Sequence, residues 1–154
     1  SCISDITSIK NRELNSLIEK EKYQMALKDN SISILEYHIH EDRMIIDILD
    51  QSKKRIYDHY LDYVTSSKST VFEEDKQKIV DLFTQKSKGP IIFREHQRNS
   101  KDYYVKSLDA TTIYNSNDEP EIILATASDI THRWHEQNTL NKELKEILLL
   151  IYII

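Results

Sequence analysis

Residues 122–147 read Ile122-Ile-Leu-Ala-Thr-Ala-Ser-Asp129-Ile-Thr131, then His132-Arg-Trp-His-Glu-Gln-Asn-Thr-Leu140-Asn-Lys-Glu-Leu144-Lys-Glu-Ile147. The first half is apolar and rich in β-branched residues, which suits a strand packed on a core. The second half is charged, lacks Gly and Pro, and repeats its apolar residues at helical spacing. The halves meet at Asp129, Ile130 and Thr131 with no loop between them. A strand that runs directly into a long exposed helix couples a core to whatever follows it.

Upstream of this stretch, two more strands are expected at residues 91–98 and 103–114. They are joined by the turn chemistry of Asn99-Ser100-Lys101-Asp102 and followed by Asn115-Ser116-Asn117-Asp118-Glu119-Pro120. The fifth strand then spans residues 121–130. Gly89, the only glycine, and Pro90 read as a helix stop. Thr70 and Glu73 have capping-box spacing, and a helix to about residue 86 would turn Ile79, Leu82 and Phe83 inward. Ile56, Tyr57, Tyr60, Leu61 and Val64 fit a helical stripe over residues 55–64, so residues 50–88 are read without a strand.

Residues 32–40 and 43–49 alternate as a strand hairpin about Glu41-Asp42. Residues 3–28 read as a helix whose stripe runs through Ile3, Ile6, Ile9, Leu14, Leu17 and Ile18. Tyr23, Ala26 and Leu27 continue it to a stop at Asp29-Asn30-Ser31. That stripe is narrow and suits a partner helix better than a core. Helices set between antiparallel strands predict an α+β fold: a five-stranded antiparallel sheet, with the helices of residues 51–88 on one face and a helix at each end.

Composition bounds the function. The chain has 154 residues, is 39% hydrophobic and 31% charged, and carries a net charge of −5. That fits one folded domain, and the acidic balance argues against a nucleic-acid surface. A single cysteine, Cys2, allows no intrachain disulfide and points to a reducing, cytoplasmic compartment. The chain lacks a starting Met and a secretory signal, so it reads as a piece of a longer protein. The ending Leu148-Leu-Leu-Ile-Tyr-Ile-Ile154 is apolar but far short of the ~20 residues that span a bilayer. It reads as a helix continuing into a further domain.

Ser128-Asp129-Ile130-Thr131, closing a strand and opening a charged helix, resembles the Asp-Ile-Thr signature that ends many bacterial PAS domains. Val71-Phe72-Glu73-Glu74-Asp75-Lys76 resembles the family's Val-His-Pro-Asp-Asp-Arg segment, matching at Val71 and Asp75. Phe93-Arg94 through Tyr104-Val105 resembles its Tyr-Arg … Asp-Gly … Trp-Val hairpin, with Asn99-Ser100 in place of Asp-Gly and Tyr104 in place of Trp. The resemblance covers residues 23–146, carried mostly by element order. It implies an N-terminal flanking helix (1–28), a PAS-like sensory domain (29–131) and a C-terminal signalling helix (132–154). It further implies a bacterial multidomain parent, in two-component or cyclic-di-GMP signalling, with a diguanylate cyclase or histidine kinase downstream.

No catalytic constellation is present: there is no nucleophile–base pair at motif spacing, no metal motif and no phosphate loop. His38 and His40 share a strand face, and His132 and His135 stand three apart on a helix. Neither pair has a third ligand fixed by spacing, so both read as solvated faces and no metal site is assigned. Residues 135–140 are similar to the phospho-acceptor box of histidine kinases, but lack its proline and are one residue short. Flavin photochemistry of the light-sensing PAS kind uses a cysteine in a core helix, and Cys2 lies outside the domain. Haem would need an axial histidine such as His59, which instead reads as a surface residue among tyrosines. No cofactor is assigned.

Of nine tyrosines, Tyr37, Tyr60, Tyr103, Tyr104 and Tyr114 could line a polar-edged pocket or simply populate sheet faces and rims. If a small ligand binds, its site is expected between sheet and helices, with Tyr37, Phe83, Phe93 and Tyr104 as lining residues. Asp129, Ile130 and Thr131 are expected to transmit the signal, Thr131 capping the last helix and Asp129 accepting hydrogen bonds. Leu140, Leu144, Ile147, Ile151 and Ile154 recur at heptad spacing, which predicts a homodimer through flanking helices as a coiled coil. The alternative reading is a structural dimerisation module that binds no ligand.

Overall fold

The computed structural model describes residues 2–26, 31–49, 52 and 54–153. Its centre is a strand, β6 (Pro120–Asp129), in which residues 122–127 are all buried. Alternate side chains of a strand point to opposite faces, so an unbroken buried run needs cover on both. Both faces are covered here. Ile123, Ala125 and Ala127 belong to one core with Leu35, Tyr37, Met44, Ile79, Phe83 and Leu108. Ile122 and Leu124 belong to a second, with Ile18, Ile34 and Ile113.

The sheet is antiparallel and has six strands in the order β3-β2-β1-β6-β5-β4. The others are β1 (Ser31–His38), β2 (Arg43–Ile48), β3 (Lys54–Asp58), β4 (Ile91–His96) and β5 (Tyr103–Tyr114). Against one face lie α2 (Tyr60–Thr65), a 3-10 turn (Glu73–Asp75) and α3 (Lys76–Phe83). Across the other lies α1 (Cys2–Ala26), which places Leu14 and Ile18 on the sheet. The α1 stripe therefore serves, at these two residues, as core of its own domain rather than as a seam for a partner helix. Leu17 remains half exposed.

The sheet has one strand more than expected. Residues 54–58 form β3, not the start of a helix, and pair with β2 in the register Ile45↔Ile56. The adjacent apolar pair Ile56-Tyr57 satisfies either period, which is why spacing alone misreads it. As an edge strand, β3 leaves Ile56 exposed and turns Tyr57 inward. What starts α2 is a distant residue. His59 turns left-handed (φ 55°), and Asp42, in the β1–β2 turn, accepts the first helical N–H groups. Its carbonyl takes Tyr60 N at 3.0 Å and its carboxylate takes Leu61 N at 3.1 Å.

The capping box at Thr70 and Glu73 does not form. Residues 70–72 instead run along the edge of β4, with His96 N donating to Thr70 O and Phe72 N to Arg94 O. The helix then begins at Lys76 and ends at Phe83, short of residue 86. Gln85 (φ 64°), not Gly89, takes the left-handed position after it. Gly89 is needed for a different reason: its φ is 70°, and a Cβ there would stand 3.2 Å from Leu82 Cδ1. At the β4–β5 turn Asn99 (φ 57°) adopts the left-handed conformation that glycine would otherwise supply.

The last element, α4 (Thr131–Ile153), has no buried residue. Among the described residues no helix is long and apolar enough to cross a membrane. The helix stop expected at Asp29-Asn30 and the last repeat position, Ile154, lie outside the described residues.

Candidate functional site

Because the sheet curls, its two edges and the helices border an open cleft of about 740 Å³. Leu35, Val64, Ile79, Phe93, Leu108 and Ala127 give it an apolar lining. Arg55 and Tyr57 of β3, Tyr63 of α2, and Glu95, Arg98, Tyr104 and Lys106 of the β4–β5 hairpin give it a polar side. On the inward face Lys106 stands opposite Phe93, and Glu95 opposite Tyr104 one step further along the hairpin. Lys106 Nζ donates to Glu95 Oε2 at 2.5 Å and stands 5.7 Å from the Tyr104 ring centre. Tyr57 and Tyr63 stack at 4.8 Å. The phenol of Tyr60, also on the lining, is raised above its ordinary pKa, chiefly by burial and then by the charge of Glu95.

Of the four expected lining residues, Phe93 and Tyr104 face this cavity. Tyr37 and Phe83 do not. They pack on each other in the core, ring centres 5.1 Å apart, and Tyr60 meets Phe83 edge to face. Tyr37 spends its hydroxyl on Asp42, at 2.8 Å, and its phenol is raised by burial and by that bond. Arg55, Tyr57, Tyr63, Glu95 and Lys106 escaped the sequence reading. For Glu95 and Lys106 a signal existed: a charge in the inward register of an otherwise apolar strand face. Arg55 had none, since its register depends on recognising β3.

The join to α4 is built against β5. Ile130 N donates to Val105 O, and Val105 N donates to the Thr131 hydroxyl oxygen, both at 2.9 Å. Asp129 Oδ1 accepts from Thr131 N at 2.9 Å and from the Thr131 hydroxyl at 2.5 Å. Asp129 thus accepts hydrogen bonds as expected, while the helix cap expected of Thr131 falls to Asp129. Asp129 satisfies a backbone donor of the first helical turn, and Thr131 uses its hydroxyl to fasten the helix start to the sheet. Ile130 is buried.

The histidines are dispersed. His38 meets Glu36 and Glu41, while His40 lies 3.4 Å from Glu121. His132 lies 3.0 Å from Glu136, and His135 rests edge to face on Tyr103. His59 is exposed. Among the described residues, Asp42, His59 and Asp62 bring three possible ligand atoms within 4.8 Å of one another. Asp42 Oδ1 already accepts from the Tyr37 hydroxyl and from Leu61 N.

No protein-family model matches the chain, and no curated protein does. Solved structures do. A sensory box histidine kinase/response regulator from Burkholderia thailandensis E264 superposes with a TM-score of 0.53 at 14% identity, over 82% of this chain and 97% of that one. The PAS domain of the fruit-fly ELK potassium channel gives a TM-score of 0.43 at 15% identity, over 73% and 97%. The first of these superpositions, with the strand order of the sheet, shows an α+β, PAS-like fold with six strands in place of the five expected.

Proposed function

We propose that this chain is a sensory or signal-relay PAS domain that is not itself an enzyme. A small ligand in the cavity shifts β5, and the shift passes through Asp129, Ile130 and Thr131 to α4 and an output domain beyond it. One observation carries this reading: a single strand serves both sites. Lys106 lines the cavity and is paired in register with Asp129, while its neighbour Val105 holds the start of α4 through its C=O, which accepts from Ile130 N, and its N–H, which donates to the Thr131 hydroxyl. Movement at the cavity wall is one peptide away from the join. A ligand alters such an equilibrium only through its different affinity for the two states, and Lys106 supplies a contact that can differ. The PAS-like fold supports the reading, and the Burkholderia neighbour carries a sensory name.

The wider setting follows from the same reading: residues 29–131 as the sensor, flanking helices that pair two copies, and a cytoplasmic, bacterial parent with a cyclase or kinase downstream. The test is native mass spectrometry of the purified chain, followed by hydrogen exchange before and after stripping any bound molecule. A co-purified small molecule whose removal changes exchange at Val105 and Thr131 supports sensing. A chain that carries nothing, and whose join is indifferent to added small molecules, supports the structural dimerisation module instead.

A further inference from the structure

The charge on the cavity is opposite to that of the protein. The chain is acidic, at −5. Yet among the described residues the fixed charges lining the cavity are three cations, Arg55, Arg98 and Lys106, against one carboxylate, Glu95. One carboxylate offsets one of these cations, through the Lys106–Glu95 pair, and the lining keeps a net positive charge. Arg55 and Arg98 are exposed, whereas Lys106 is partly buried, so its charge acts through a lower effective dielectric than one on an open surface. Guanidinium groups favour planar oxyanions, which they can bond through two donors. The rest of the wall mixes apolar and aromatic side chains, Leu35, Val64, Leu108 and Tyr60 among them, with neutral polar ones such as Ser69, Thr70 and Gln97, and the stacked Tyr57 and Tyr63 rings stand near Arg55.

We infer that the cavity takes an organic carboxylate with an apolar, preferably planar body, its head group held by Arg55 and Lys106. This rests on the ligand-sensing reading and deepens it. The body lies on the apolar lining, and the carboxylate competes with Glu95 for the Lys106 ammonium. Because Lys106 pairs with Asp129 across β5 and β6, exchanging its partner acts next to the α4 join.

The experiment is isothermal titration of the whole chain with benzoate, 2-naphthoate and decanoate. Each is compared with its uncharged amide and with the corresponding primary ammonium compound. At least one carboxylate is expected to bind about tenfold or more tightly than its amide and its ammonium counterpart, the scale of one charge-assisted contact. Arg55→Gln, on an exposed edge strand, and Lys106→Gln should each weaken the carboxylate about fivefold or more while leaving the amide unchanged. Circular dichroism verifies that both variants fold. Amides or ammonium compounds binding as well as the carboxylates overturn the charge assignment and leave the ligand cavity standing. If no member of the three series binds at millimolar concentration, the ligand-sensing reading falls with it.

Discussion

Asp75 is the residue at which the motif reading and the structure meet. It is 2% exposed and accepts from Arg94 N at 2.9 Å, Nε at 2.8 Å and Nη2 at 3.2 Å. Burial alone would raise its pKa, but the hydrogen bonds from Arg94, with Lys78, outweigh it and hold the carboxyl below its ordinary value. Both partners stand at motif positions quoted from sequence, yet nothing in the sequence shows that they touch, 19 residues apart. Removing one member of a buried pair strands the other at a cost of about 3–5 kcal/mol. Arg94 is partly solvated, so Asp75→Ala should cost nearer ~2–3 kcal/mol in urea denaturation. Asp75→Asn, which can still accept from Arg94 N, should cost less.

A second charged cluster, on the back of the sheet, joins two residues of one β1 face to Lys22 of α1, a partner that strand alternation cannot show. Glu36 is buried between Lys22 of α1 and His38, each 2.5 Å from one of its oxygens. The bond to His38, with help from Lys22, lowers the Glu36 pKa to about 2 against the opposing effect of burial. The same bond raises His38. The signs fix a window. The Glu36 contribution is complete above its unfolded value of 4.5 and is lost as pH falls toward 2. The His38 contribution is complete below its unfolded value of 6.5 and is lost as pH rises through the raised folded value. Stability from this cluster is therefore greatest between those two unfolded values. The thermal midpoint should decline on the alkaline side, and His38→Gln should flatten that decline. An unchanged slope in the variant would show that His38 stays uncharged.

At the scale of elements, the best-read segments were those with one strong period and local ends. β1, β2, β4, β5, β6 and α4 stand within a few residues of expectation, because alternation or helical spacing runs unbroken through each. The misread segments are those whose ends are set from elsewhere. β3 becomes a strand by pairing with β2, α2 starts on Asp42, and residues 70–72 are drawn to the edge of β4. The candidate site inherits the same limit. Its strand residues could be inferred from alternation, but the inward face could not be fixed without knowing that helices cover both sides. For the α4 start, Asp129→Ala should fray the first turn at a cost of ~1 kcal/mol, the usual value of an N-terminal cap. Thr131→Val should release Val105 N from its acceptor. Hydrogen exchange should then rise at Val105 and Thr131 while residues 122–127 of β6 stay protected. Loss of protection throughout β6 would make the join a structural element rather than a coupling.

At the scale of the molecule, the unanswered feature is α4, whose 23 residues include none that is buried. Leu140, Leu144, Ile147 and Ile151 lie four, three and four apart and are each more than half exposed. An isolated helix of this length is marginal in water and gains its stability from packing. α1 has already placed Leu14 and Ile18 on the sheet, so it offers α4 a reduced apolar surface. A second copy supplies the same a and d stripe and closes the seam symmetrically. Pairing should be tightest between Leu140 and Ile151 and weak toward the sheet, where Gln137 bonds Asn141 instead. Beyond Ile147 the helix becomes apolar on other sides too, at Leu148, Leu149, Leu150 and Tyr152, which a two-stranded seam leaves in water. We therefore expect concentration-dependent dimers in sedimentation, with further association as concentration rises. Leu144→Glu should return the chain to monomer, and Leu149→Glu, off the seam, should suppress only the higher species. A wild-type chain that stays monomeric at about micromolar concentration refutes the pairing. A Leu144→Glu chain that still dimerises places the interface elsewhere, with the exposed part of α1 the next surface to mutate.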